Sequence, residues 1–477
     1  MSPFRSRLAR VIPRAARRPL AAGLLVLGVP AAARAQLTLA DALRRADRTA
    51  FANRIAAGAA RAQDAQTLAP LRGVLPDVHL EAGFVRTTDP VGAFGTTLRQ
   101  RSITQNDFAP DRLNYPDAVG NYQGAVVVQQ PLFNADAAFG RRAAVDAADA
   151  SRASERWTAI STRVDVIRAY YGAVLAAERI TTLDAASRAA HAHAAQAEAM
   201  VRQGLVTKSD ALLASVRAAD VDAQLVEARG AARSAARGLA VLLGESPAAD
   251  APALGALPAT LPDADRIRAL VADDTLDVAP VRTRADVRAA TLGADAAHED
   301  ARRARSTFVP RVNSFARYDW NSLARPYAGD KNWTVGIMAT WSLFAGAGDI
   351  ADVRATTARA DAARAGLDAA RAQADLDAQD TRTALSVALE RLAIAERAVG
   401  QSGEAHRLVA RKYEGGLATV VELLDAQAAE TQTVLALSQA RYGAIVADAA
   451  RRRAIGEDPA ALAALDATTI TAATASR

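Results

Sequence analysis

The sequence predicts a mainly α-helical chain with a smaller β portion, duplicated within one polypeptide. Three observations carry that prediction. Hydrophobic residues make up 51% of the 477 positions but aromatics only 5%, because alanine, the best helix former and a small core residue, supplies much of the apolar content. No proline interrupts Asn134 to Pro247 or Ala345 to Pro459, so each tract can stay helical throughout. Finally, the chain matches itself: Gly204 and Gly416, Thr207 and Thr419, Asp210 and Glu422, and Gly244 and Gly456 are all 212 positions apart. A repeat of this kind is one structural unit used twice. Upstream, QPLF (Gln130–Phe133) answers WSLF (Trp341–Phe344), and LPDV (Leu75–Val78) answers VPRV (Val309–Val312).

The first 35 residues form a leader. They hold seven arginines (Arg5, Arg7, Arg10, Arg14, Arg17, Arg18, Arg34) and no acid, followed from Leu20 to Val29 by an apolar run and then by Ala33-Arg34-Ala35. This is the pattern of an export signal cleaved after Ala35. A transmembrane anchor would need about twenty apolar residues. The whole chain has 58 basic and 52 acidic residues, a net charge of +6; without the leader's seven, 51 face 52, a balance of −1. The basic character belongs to the leader and gives no reason to expect nucleic acid as a partner. No later segment is apolar enough to span a bilayer as a helix, so a membrane-crossing part must be a barrel. Zero cysteines exclude disulfides, thiol chemistry, Cys-ligated metals and a lipidated N-terminal cysteine.

The elements follow in order. A first structural repeat covers 36–248: a helical start (Leu39–Ala69), a β hairpin over about 76–131 with a Gly/Pro/Asn/Asp-rich loop, and a helical hairpin over about 134–245 that turns at Gly204. A linker covers 249–283. The second repeat covers 284–457, with a helical start (Arg284–Thr307), a β hairpin over about 310–343 and helices over about 345–456 that turn at Gly416. A tail covers 458–477. At 1.5 Å per residue the longest helical tract reaches on the order of 100 Å if isolated glycines such as Gly172 do not divide it.

The strands carry the clearest alternation. Trp333, Val335, Ile337, Ala339, Trp341 and Leu343 share one face, while Thr334, Gly336, Met338, Thr340 and Ser342 share the other. In the partner strand Val312, Ala316, Tyr318 and Trp320 oppose Arg311, Asn313, Arg317 and Asp319, with Ser314 and Phe315 breaking the pattern. Val78, Leu80, Ala82 and Phe84, and then Tyr122, Gly124, Val126 and Val128, repeat it. Trp333 and Trp341, about 27 Å apart along a strand, match two aromatic girdles bounding an apolar band, with Trp320 a third girdle residue. A soluble sheet packed on one side and a lipid-facing barrel both fit this pattern. Four strands cannot close, so a barrel requires an oligomer; three copies would supply twelve strands.

The duplicated plan, the LTLADAL opening (Leu37–Leu43), and the GLVTKSD and YEGGLATVVELLDAQ turns resemble the TolC-type outer-membrane efflux channels, the outer membrane factor family. The resemblance runs from about Leu37 to Gly456. It implies a homotrimer with a shared twelve-stranded barrel in the outer membrane of a Gram-negative bacterium and an α-helical tunnel in the periplasm, with 249–283 in an equatorial belt. The implied function is a passive exit channel of a tripartite efflux or type I secretion system, opened at its periplasmic tip. The implied partners are a periplasmic adaptor, an inner-membrane pump or ABC exporter that supplies the energy, and outer-membrane lipid.

The resemblance also implies a periplasmic gate. Tyr413 falls at the tyrosine of the closing network, Glu422 and Asp425 at acidic ring positions, and Asp210 at their acidic partner on the first turn. Glu422 and Asp425 are three apart and share a helix face, so threefold symmetry would make each a cation-favouring ring. Where the family carries an arginine beside the Thr419 position, this chain has Ala418, so Asp210 has no arginine there to lock against. RADV (Arg284–Val287) resembles an RPDL-type family motif with Ala285 for proline. The tips Gly204, Leu205, Thr207, Gly416, Leu417 and Thr419 would meet the adaptor, although a plain helix cap explains the glycines and threonines as well.

A pore-free periplasmic coiled-coil adaptor is the alternative to a channel. An enzyme is not expected: no Ser-His-Asp order, HExxH or phosphate loop is present. No metal or cofactor is expected either. His191 and His193 are two apart and leave a helix on different sides, and His79, His298 and His406 fit no ligand set.

Overall fold

The computed structural model describes residues 36–246, 256–272, 284–344 and 346–466. The leader with its expected cleavage site, most of the 249–283 linker and the end of the tail lie outside the described residues.

Local chemistry explains each element. Helix α1 (Leu39–Thr49) starts where the Thr38 hydroxyl accepts from the Asp41 amide. It breaks at Ala50, whose extended backbone (ψ 132°) separates it from α2 (Phe51–Gln66), so the single helical start expected over Leu39–Ala69 is two helices. Strands β1 (Asp77–Thr87), β2 (Val119–Phe133), β3 (Arg311–Ser322) and β4 (Asp330–Thr340) form one antiparallel sheet in the order β1-β2-β3-β4. No strand among the described residues pairs with the outer edge of β1 or of β4.

The connection between β1 and β2, expected as a loop, contains α3 (Pro90–Arg99) and α4 (Pro110–Asn114). Each begins with proline in its first turn, where the missing N–H has no partner to lose. Asp89 caps α3 through the Gly92 amide at 2.6 Å.

The helical hairpins are α5 (Ala135–Arg202) with α6 (Lys208–Leu242), and α9 (Gly348–Glu414) with α10 (Val420–Ile455). Between them lie α7 (Ala264–Ala272) and α8 (Ala285–Arg305). Helix α5 has 68 residues and α9 has 67, so each is about 100 Å long. Gly172 does not divide α5; Tyr442 of α10 lies at an ordinary contact distance of 3.8 Å from where a Cβ would stand.

These helices form a wall. Toward the strands α2, α5, α8 and α9 lie side by side, and toward the opposite end α6, α5, α10 and α9 do so. Alanines let the axes close up: Ala186, Ala190, Ala194 and Ala197 of α5 and Ala211, Ala214 and Ala218 of α6 are buried, at three- and four-residue spacing.

Where the two tiers meet, α6 ends against α1 and α10 ends against α8. The Thr49 hydroxyl donates to the Leu243 carbonyl at 2.6 Å, and Arg284 donates to the Ala454 carbonyl at 3.1 Å. The largest apolar core lies here, including Leu39, Leu43, Ile167, Tyr170, Tyr171, Leu239, Leu261, Ile267, Leu392, Ile445 and Leu462. The Asp466 carboxylate closes it, accepting from the Leu39 amide and the Tyr170 hydroxyl at 2.8 Å each and from Tyr171 at 3.2 Å.

Candidate functional site

The sheet sorts its side chains by face. Register places Leu80, Val126, Tyr318 and Trp333 in one row and Val78, Val128, Ala316 and Val335 in the next. The opposite face carries His79, Glu81, Asn121, Gln123, Arg317, Asp319 and Asn321. The irregularity at Ser314 and Phe315 leaves the register intact: Phe315 points to the polar face, opposite Gly336, where a Cβ would stand 2.7 Å from its ring. The missing side chain makes the room.

The apolar face is bare. Trp333 is 71% exposed and Ile337 72%, and Val78, Leu80, Phe84 and Val335 are exposed with them. A soluble sheet would pack this face and leave the polar one wet, as alternating strands commonly do. Here Asn121, Ala125, Val127, Asp319 and Asn321 on the opposite face are buried instead, and an apolar band of this extent marks a membrane or protein contact. Trp320 stacks edge-on with Tyr318 (4.8 Å) and Tyr327 (5.7 Å), and Phe84 lies 4.7 Å from Tyr122. Trp341 falls just beyond the end of β4, exposed, with its indole Nε1 donating to the Phe308 carbonyl at 2.9 Å. Among the described residues no helix is long and apolar enough to cross a membrane, which says nothing against strands.

At the far end of the wall the two turns have the same backbone. Gly204 (φ 74°) donates to Val201 O and Leu205 to Met200 O; Gly416 (φ 72°) donates to Tyr413 O and Leu417 to Lys412 O. This doubled bond is the Schellman cap, which needs a residue at positive φ and favours glycine. The next helix begins three residues later with a capping box. The Thr207 amide donates to Asp210 Oδ2 at 3.1 Å, and the Thr419 amide to Glu422 Oε2 at 2.7 Å; each threonine hydroxyl accepts from the amide of its acidic partner in return. Asp210 and Glu422 therefore have a capping role that family resemblance alone does not reveal. Leu205 and Leu417 stand exposed at the tips, the latter 82%.

Tyr413 is buried beneath the second turn among Met200, Ala211, Val420, Leu423 and Leu424. Its hydroxyl donates to Met200 Sδ at 3.3 Å rather than to Asp210. Burial, and then the nearby Asp210 carboxylate, push its phenol above the ordinary range. Asp425 is exposed, with Arg217 of α6 the nearest cation at 3.9 Å.

His191 and His193 face different neighbours. His191 pairs with Asp222 at 2.9 Å, whereas His193 faces His406 edge-on at 6.4 Å. Burial first, and then His406, lower the His193 pKa. Among the described residues no group of three or more His, Cys, Asp or Glu could hold a metal ion.

Two features escaped the sequence. The guanidinium groups of Arg284 (4.7 Å) and Arg453 (5.5 Å) both lie over the Trp157 ring, and Arg284, almost wholly buried, also binds Asp286 and Asp377. RADV holds this arginine, so the motif was visible but its partners were not. The second is an amide relay on the polar face of the sheet, Gln100–Asn121–Asn321–Asp319; no spacing signals it, because its members lie up to 221 positions apart in sequence.

Comparison with known proteins agrees with this geometry. No curated protein sequence matches the chain. Solved structures do match in fold. A membrane protein of Pseudomonas aeruginosa is 19% identical, with 88% of this chain and 93% of that one covered at a TM-score of 0.74. The outer membrane protein VceC of Vibrio cholerae is 20% identical, covering 88% and 96% at 0.71. The CmeC outer membrane channel of Campylobacter jejuni is 13% identical, covering 90% and 88% at 0.73. A family model described as outer membrane efflux protein matches residues 31–245 and 282–457, its two blocks falling on the two halves of the duplication. The chain therefore belongs to the outer membrane efflux protein family and has the strand-and-helical-tunnel fold of the TolC-type channels.

Proposed function

We propose that three copies of this chain assemble into a passive exit duct, with the three sheets closing a twelve-stranded barrel in the outer membrane and the helical walls forming a tunnel in the periplasm. The observation that carries the reading is the sheet: its apolar face is bare and, among the described residues, both edges are unpaired, a state that lateral closure with further copies relieves. The helical wall has matching flanks. Its two edge helices expose apolar side chains, Leu212, Val216 and Val226 on α6 and Leu376, Val387, Ile394 and Leu408 on α9.

In this assembly Trp320, Trp333 and Trp341 anchor the barrel at its girdles. Residues 36–248 and 284–457 form the two repeats of each protomer, 249–283 an equatorial linker, and 458–477 a tail. The leader is removed near Ala35. Tyr413 seals the tip from within, and threefold rings of Glu422 and Asp425, faced by Asp210, narrow it and favour cations. The exposed leucines at the turns Gly204-Leu205 through Thr207 and Gly416-Leu417 through Thr419 receive a periplasmic adaptor, through which an inner-membrane pump drives opening. Catalysis has no part in this role.

Current through the purified protein in planar bilayers tests the gate. Asp425→Asn combined with Glu422→Gln, which keeps an acceptor for the cap, is expected to lower cation selectivity and raise conductance about two-fold or more. If both quantities stay at the parental values, these carboxylates do not line the constriction.

A further inference from the structure

The first hairpin carries a long connection between β1 and β2, residues 88–118, and its position follows from which face it touches. Gln100 follows α3, and its amide donates to the Gly120 carbonyl and to Asn121 Oδ1, both at 2.9 Å. Asn121 precedes the outward Tyr122, so its side chain is on the polar face. It donates to Asn321 Oδ1 at 2.8 Å, and Asn321 to Asp319 Oδ2 at 2.7 Å. All four side chains are buried. Arg101 continues the line to Asp330 on β4 at 3.7 Å. Helix α3 therefore touches β2 and β4 and crosses the sheet on its polar side.

The segment is built, not draped. Ala93 is buried, Phe94 meets Phe108 edge-on at 5.7 Å, and Thr104 forms a capping box with Asp107. The second hairpin does the opposite. Its short connection turns at Tyr327 (φ 57°), which lies over the apolar face beside Trp320, in a notch that any Cβ on Gly124 would fill.

We propose that residues 88–118 form a second constriction inside the outer mouth of the barrel, a size filter held in place by the Gln100–Asn121–Asn321–Asp319 relay. The inference rests on the barrel reading above, in which the polar face is the lumen and three copies of α3 share it. A buried relay of amides is costly to leave half-satisfied, so the segment stays folded inward and limits which solutes pass at this end, independently of the tip.

Because the native chain has no cysteine, a single thiol can report access. Thr334→Cys lies on the polar face below the segment, opposite Arg317, and Val335→Cys on the apolar face. Intact cells are treated from outside with maleimides of increasing size, from a small charged one to polyethylene-glycol conjugates. In one variant Asn-Gly replaces 88–118, joining the paired residues Thr87 and Val119 by a two-residue turn. In another, Gln100→Ala and Asn121→Ala cut the relay while leaving the segment in place.

Thr334→Cys is expected to react with the small reagent in every background. The largest conjugate that still reacts should be markedly longer in the shortened chain and intermediate in the relay variant. Val335→Cys should stay unreactive. The same size limit in all three backgrounds would overturn the constriction and leave the barrel standing. A Thr334→Cys that resists even the small reagent in the shortened chain would overturn the lumen itself, and the constriction with it.

Discussion

The two turns at the far end of the helical wall share a backbone and differ in what lies beneath it. Both end a helix at a glycine near φ 73° and start the next with a threonine–carboxylate box. Under the second turn Tyr413, Val420, Leu423 and Leu424 are buried, while along the first Leu212, Leu213 and Val216 are exposed. At the shared offset of 212, Val201 stands where the second half has Tyr413, and Leu213 where it has Asp425. Duplication kept the main-chain chemistry that makes a turn and let the side chains divide the work. In the proposed trimer the second turn supplies the internal seal and the exposed carboxylate, and the first supplies an apolar flank for a neighbouring copy to cover.

The largest effect separates glycines that share a conformation. Gly244 (φ 79°) faces the Thr49 carbonyl, which would lie 2.0 Å from any Cβ, whereas Gly204 (φ 74°) has open space around it. Gly244→Ala is expected to cost about 4 kcal/mol or more and to deplete folded protein in the membrane, as severe backbone clashes do. Gly204→Ala should cost only about 1 kcal/mol, the local price of a left-handed alanine. Equal losses in chemical denaturation would show that the junction between the two tiers yields easily.

Next in size is the seal. Tyr413→Ala removes a buried aromatic and should cost about 3 kcal/mol locally, raising conductance through the tip; Val201→Ala should do less than half of this. Similar conductance changes from both would erase the difference between the turns. The smallest effect should be symmetric. Thr207→Ala and Thr419→Ala each remove one cap worth about 1 kcal/mol, and helix protection measured by hydrogen exchange should fall equally at both starts.

Features that depend on short-range chemistry were legible in the sequence. The strand faces follow from alternation, the tip turns from glycine and threonine at fixed spacing, and the duplication from one offset. Other features depend on partners that spacing cannot bring together. Asp466 reaches the Leu39 amide across 427 positions, and Arg284 finds Trp157 and the end of α10. Helices α3 and α4 were hidden because the prolines that start them read as loop markers. The break at Ala50 has no breaker residue at all; it occurs where α1 turns from the core around Leu39 and Leu43 to the surface run of α2.

Whether one protomer is a third of a channel is decided by the mass of the protein extracted from membranes in mild detergent, measured by light scattering with the detergent contribution subtracted. Detergent should be required for extraction, and the particle should contain three chains. Release into aqueous buffer as a single chain would contradict both, since a lone protomer would then tolerate both its bare apolar sheet and its two unpaired edges.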